Sequence, residues 1–538
     1  MAASTIKISE IKDFTGGLNF RADQFQLANN ESPDMFNVEI DPRGGIFSRG
    51  GQKALNATAI AGTWNPHRLY PFSGATSNLM LVSDTKVKRA TSSTFTNLQY
   101  TGSVDIASAA VYGAPLAQWG KTLYISNGAA GSGGYVWDTA NALATVLTAS
   151  GSAPNAWQTT PSAHAKIPSC EHLQVHANKL FAGNVDIAGV KYPNRFYWSI
   201  ENSPESWDED DYIEVSGGGN GITGFAVVQG QLVIFKRKAV YVLFGYDSAT
   251  FQVVELTNNL GADTHYSIAQ SDVGVYFFSY PNGLYFYNGS SLVDIFGNLQ
   301  PIIDLGYVYP TTISPFRLAW VGKRLWCSAK YDRVATALNP TVNFVFDPAI
   351  NTTGSWMQFS TSDSKGLVGG CDWTNSSGTQ YRLCCHPTLG YVMKVDMYDQ
   401  EFDNISGTDV SFATYYRTKW FDAGSYAQKK MFRRPDFVVK ESSILQNISI
   451  NVYHDFNESE GNERRTFVLT QTPDSAGLVW GTGVWGDNWS SGATSSKLLT
   501  GSNLGLAKTV QLEFNGPTGQ SWGLNSIGYK YQRRRVKG

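Results

Sequence analysis

The feature that most constrains this chain is a repeated pairing of a Gly- or Asn-containing turn with an apolar, aromatic strand. It reads WGKTLYISNG at Trp119–Gly128, HANKLFAGN at His176–Asn184, VQGQLVIFK at Val228–Lys236, PNGLYFYNG at Pro281–Gly289 and VGKRLWCSA at Val321–Ala329. Successive copies stand about 35 to 60 residues apart, a period that belongs to repeat architectures. Several are followed by a strand with an aromatic-acidic ending, as in GYVWDTA from Gly134 and NFVFDPA from Asn343. A four-stranded antiparallel blade cannot bury both faces alone. Stacking blades around an axis covers those faces and leaves only short edges. The spacing therefore predicts a β-propeller over residues 66–400, with candidate blades at 66–103, 104–150, 168–216, 217–260, 264–305, 313–362 and 364–398. That makes seven by count, or six if one segment is an insertion. The competing arrangement is a pair of β-sandwiches.

Composition agrees with an all-β chain. Of 538 residues, 13% are aromatic, 53 are glycine and only 16% are charged, below the usual quarter or so. No amphipathic run of about ten residues carries helix caps. Over residues 411–538 longer alternating strands take over, such as LQNISINVYHDF and KTVQLEFNG. Alternation marks half-buried antiparallel strands, so this region is expected to form a C-terminal β-sandwich or jelly-roll-like domain. Residues 1–65 fit neither unit and read as an extended arm.

Net charge is −2, so no global positive field exists to grip a phosphate backbone. The opening MAASTIKISEIKDF lacks an apolar run of signal-peptide length, and no stretch approaches the eighteen or so apolar residues of a membrane helix. The expectation is a soluble protein made in a cytoplasm, without a membrane partner. Cys170, Cys327, Cys371, Cys384 and Cys385 are odd in number and scattered. They read as free, buried thiols, with adjacent Cys384 and Cys385 on opposite faces of a strand.

Chemistry-bearing motifs are sparse. In SCEHLQVH, Cys170, His172 and His176 share strand parity, but usual zinc spacing and a clear fourth ligand are absent. Asp208, Glu209, Asp210 and Asp211 crowd one segment without the glycine and alternation of a calcium loop. They read as a solvated turn. SGGGNGITG at Ser216–Gly224 has no following G-K-[ST], and reads as an inter-blade turn. No catalytic, cofactor-binding or metal-binding residue is assigned, and the chain is read as not an enzyme. Interaction residues are placed in two stretches. SAGLVWGTGVWGDNWSSGATSS carries Trp480, Trp485 and Trp489, suited to a subunit contact or to stacking on sugars, or simply to packing on itself. The C-terminus carries Arg533, Arg534, Arg535 and Lys537, suited to phosphate or to an acidic neighbour.

One stretch resembles a known family. GGLNFRADQFQLANNESPDMFNVEIDPRGGIFSRGG, with Gly16, Gly17, Ser32, Pro33, Asn37, Gly44, Gly45 and Arg49, is similar to the start of bacteriophage tail and head-to-tail structural proteins, especially the β-propeller nozzle (tail tubular B-type) proteins of short-tailed phages. ENSPESWDEDDYIEVSGGGNGITGFAVVQGQLVIFKRKAVYVLFG at Glu201–Gly245 looks like a blade of the same proteins. The resemblance implies a virion structural protein of the tail: a homo-oligomeric ring, commonly a hexamer, lining or surrounding the channel through which the genome is ejected. It implies contacts with adaptor and other head-to-tail proteins and with tail fibres, passage of DNA without sequence-specific binding, and no cofactor. The alternative is a receptor- or carbohydrate-binding tail protein acting through the tryptophan loop. In either case MFNVEI is expected to add to a sheet edge, closing the propeller or pairing with the C-terminal domain.

Overall fold

In the computed structural model the described residues are 5–100, 104–107, 110, 113–126, 134–139, 143–146, 167–187, 189–219, 221–306, 316–331, 339–350, 355–440, 445–457, 463–471 and 496–533. The chain is almost entirely β, and its antiparallel sheets form a seven-bladed propeller followed by a β-sandwich. Six blades are four-stranded meanders of consecutive strands. Their first strands are Pro66–Ser73, Leu116–Trp119, Ser169–His176, Ile222–Val228, Ile268–Gln270 and Arg317–Val321. The seventh blade begins with Val368–Thr374, which lies beside both Arg317–Val321 and Pro66–Ser73 and so completes the ring.

The seventh blade contributes only three strands of its own. Its fourth is Gly51–Ala54 from the arm, antiparallel to Val392–Met397 with Met393 opposite Ala54 and Lys394 opposite Lys53. The N-terminal side of the chain thus seals the ring, and the strand edge that blade seven would expose is covered.

The arm also enters the sandwich. One sandwich sheet runs Asp34–Phe36, Tyr415–Arg417, Val510–Asn515, Gln446–His454, Arg465–Gln471. The other is built around the long strand Gly523–Arg533, which pairs with Lys7–Ile11 and with Ile46–Ser48 of the arm. Phe437 of one sheet meets Phe514 of the other edge-on at 5.5 Å. So MFNVEI is divided: Asp34–Phe36 joins the first sheet, while Val38–Ile40 pairs with Ile46–Ser48. Propeller closure falls to the next strand along.

Burial explains why the arm holds. Ile11, Phe14, Leu18, Met35, Val38, Ile40 and Ile46 share one continuous apolar core with Phe296, Trp356 and Met357 of the propeller and with Phe437, Ile450 and Phe514 of the sandwich. Each fully buried side chain of this size adds roughly 1.5–3 kcal/mol, so the arm is part of the fold. All five cysteines are free and buried, and Cys384 and Cys385 enter different core clusters. Asp208–Asp211 lie inside the strand Ser203–Glu214 and not in a turn. The apolar residues that flank them pack into blade clusters, Trp207 and Tyr212 into one and Ile213 into the next, and hold that segment in the sheet, which outweighs the local acidity.

Candidate functional site: the arm junction

The arm, blade six and the segment leaving blade seven meet at Arg49. Its side chain is 2% exposed and that of its partner Asp403 is 0% exposed. Every guanidinium N–H donates. Nη1 and Nη2 hold Asp403 Oδ1 and Oδ2 at 2.9 and 2.7 Å. Nη1 also donates to Gly50 O, Nη2 to Ser360 O, and Nε to Asn37 Oδ1. The Phe412 ring covers the guanidinium at 3.7 Å. Asp403 in turn accepts the backbone N–H of Gln52 at 3.0 Å and of Ser362 at 2.7 Å. A fully hydrogen-bonded fork of this kind fixes geometry in a way a lysine cannot.

Asn37 organises the same joint. It takes a left-handed backbone, φ 54°, which Asn tolerates better than most residues. Its Oδ1 accepts from Arg49 Nε and from the Ser360 N–H, and its Nδ2 donates to Ala413 O at 2.9 Å. Ser32 Oγ donates to Arg417 O at 2.7 Å, tying the arm to the first sandwich sheet. Gly17, φ 66°, lies so close to Trp356 that a Cβ would stand 2.8 Å from its carbonyl oxygen. Only glycine fits there.

A second buried cluster flanks the joint. Glu39 Oε2 accepts from Arg324 Nη1 at 3.1 Å and from Tyr398 Oη at 2.9 Å. Arg324 also meets Asp347 at 3.0 Å and Asp396 at 3.7 Å. Burial pushes Glu39 and Asp396 above the usual carboxylate range against the pull of Arg324, and the Asp396 charge adds to the rise at Glu39. Blades six and seven are thus linked to the arm by charge as well as by packing.

Cys170, His172 and His176, which share strand parity but are not assigned to a metal, do not converge. Cys170 packs with Ala117 and Tyr124 of blade two. His172 faces the other way around the ring, hydrogen-bonded to Ile222 O at 3.1 Å and stacked on His265 at 5.2 Å. His176 rests against Phe181. Burial raises the Cys170 thiol to about 12 and lowers His172 to about 3. Among the described residues no group of three or more His, Cys, Asp or Glu could hold a metal ion. Trp480, Trp485, Trp489, Arg534 and Arg535 lie outside the described residues. Arg533 ends the long sandwich strand opposite Lys430 and donates to Ala423 O at 3.4 Å. The Arg49–Asp403 pair was not legible in sequence, because 354 residues separate its members.

No protein-family model and no curated protein matches the chain. Among solved structures, a chain of a mitotic checkpoint complex is similar at 10% identity and TM-score 0.37, covering 64% of this chain and 96% of its own. BBS1N, crystallised with ARL6DN, is similar at 9% identity and TM-score 0.38, covering 65% of this chain and 97% of its own. Scores this low bear on neither function nor partner.

Proposed function

We propose that this chain is a structural protein of a phage tail, a subunit of an oligomeric ring that lines or surrounds the DNA exit channel, with residues 7–54 clasping propeller to sandwich. The observation that carries the reading is the role of the residues on which the resemblance rests. Gly17, Ser32, Asn37 and Arg49 are spent on a buried joint between arm, propeller and sandwich. Such a joint supplies stiffness, which a channel wall under DNA pressure needs. A net charge of −2 also suits a wall that must not hold the phosphate backbone.

The test is assembly. Purified chain, alone or with its adjoining tail proteins, is expected to form rings in negative stain with a light-scattering mass of several protomers, six by the resemblance. A strict monomer at micromolar concentration under both conditions would sink the proposal. Removing residues 1–45 is expected to give insoluble or unassembled protein, and soluble rings from that variant would show that the clasp is dispensable.

A further inference from the structure

The sandwich sheet built around Gly523–Arg533 covers the core with one face only. Ile527 and Tyr529 are buried on that side, with Phe437 opposite Ile527 and Phe432 opposite Tyr531. The other face is open. Register places Ile8 opposite Lys530, Met431 between Gln532 and Leu506, and Val438 between Ser526 and Leu498. Ile8 is 60% exposed and Leu498 66% exposed. Contiguous apolar side chains left uncovered on a sheet mark a contact surface. The same face is basic. Arg433, which donates to Gln532 Oε1 at 2.8 Å, stands on it with Lys440 and Lys530, against Asp436. The bias extends through the C-terminal domain: residues 411–538 hold sixteen Lys and Arg against ten Asp and Glu, whereas residues 1–410 hold twenty-six against thirty-four.

The chain carries the opposite surface on the outer rim of blades three and four. The last strand of blade three, Ser203–Glu214, holds Asp208, Asp210 and Asp211. Burial raises Asp211 above the usual carboxylate range, and the charges of Asp208 and Asp210 add to the rise. Asp247 lies in the turn between Val240–Phe244 and Gln252–Thr257 of blade four. Asp211 and Asp247 both feel the charge of Lys179, and Trp198 meets Phe251 edge-on at 5.1 Å, so the two acidic segments are neighbours. Tyr246, beside Asp247, is 79% exposed. We propose that the open face of the sandwich sheet docks the blade three and four rim of a second copy of this chain. This rests on the ring reading above and adds which surfaces form the subunit contact. Two different surfaces in contact make a head-to-tail arrangement, which closes into a ring when repeated. The sheet face against its own copy would bring like charges together, whereas the rim supplies the complementary sign. Ile8, Leu498 and Tyr246 supply apolar area within that polar surround.

Full-length protein is followed by light scattering and negative stain under the condition in which the wild type assembles, alone or with its adjoining tail proteins. Arg433→Glu with Lys440→Glu reverses the sheet face, and Asp208→Lys with Asp210→Lys reverses the rim. Each double variant by itself is expected to stay monomeric where the wild type forms rings. Mixed in equal amounts, the two are expected to assemble again. The acidic face of one then meets the basic rim of the other, and its acidic rim meets the other's basic face. If either reversed variant does not fold, Ile8→Ser with Leu498→Ser, which leaves the charge unchanged, is expected to weaken assembly at least about tenfold. Rings that persist in a folded reversed variant or in the serine variant overturn this contact and leave the ring reading standing. Reversed variants that fold but stay monomeric when mixed overturn the pairing of these two surfaces in the same way. A wild type that is monomeric under both conditions overturns the ring reading and this contact with it.

Discussion

Replacing Arg49 by methionine isolates what holds the two units together. The substitution keeps an apolar stem under Phe412 but removes all five donors. Asp403, 0% exposed, then keeps only the Gln52 and Ser362 N–H groups, and the Gly50 and Ser360 carbonyls lose a donor. Breaking one side of a buried ion pair costs about 3–5 kcal/mol, because the remaining charge stays buried. The expected loss for Arg49→Met is therefore about 4 kcal/mol. Asp403→Leu alone should cost a similar amount by stranding the guanidinium. The double variant removes both charges and should lose much less than the sum, giving a coupling energy of at least about 2 kcal/mol. Urea unfolding followed by tryptophan fluorescence reads these values. It should also show the single variant's transition split in two, since propeller and sandwich lose a shared joint. Single variants that each cost under about 1 kcal/mol, or a double variant equal to their sum, would refute the view that this pair is the joint.

Three further outcomes follow from the geometry. Gly17→Ala, at φ 66° and with its Cβ 2.8 Å from Trp356 O, should cost about 2 kcal/mol or more in the same assay; a neutral change would mean the arm packs differently. His172 is depressed to about 3 from the usual 6.5, so the unfolded chain takes up a proton that the fold refuses. Stability should hold above pH 6.5 and fall from there toward pH 3, by up to about 1.4 kcal/mol per unit. A His172→Gln variant should lose that part of the slope in melts across the range, and an unaltered slope would count against the assignment. Glu39 is shifted the other way, upward, with burial the first cause. Its contribution is greatest below pH 4.5 and declines as pH rises through its folded value, so Glu39→Gln should flatten the decline above pH 4.5, as read by denaturant midpoints at each pH.

By itself the sequence determined the local elements. Turn-and-strand units such as VQGQLVIFK carry their own glycine turn and apolar alternation, so the strand Gln231–Lys236 forms where the pattern puts it. Their period favoured a propeller over a pair of β-sandwiches, because stacking blades around an axis covers both faces of each. Local signals misled where packing outweighed them, as at Asp208–Asp211, which look like a turn and lie in a strand. Only the tertiary structure decided which strand closes the ring. Gly51–Ala54 and Val392–Met397 lie more than three hundred residues apart and carry no mark of each other. The same holds for Arg49 with Asp403, and for Arg68 with Arg317 around one cavity. Strand patterning is written in neighbours along the chain, where side chains alternate every residue. Buried charge pairs and cavities depend on which distant backbones the fold brings within about 3 Å, and one-dimensional order does not contain that distance.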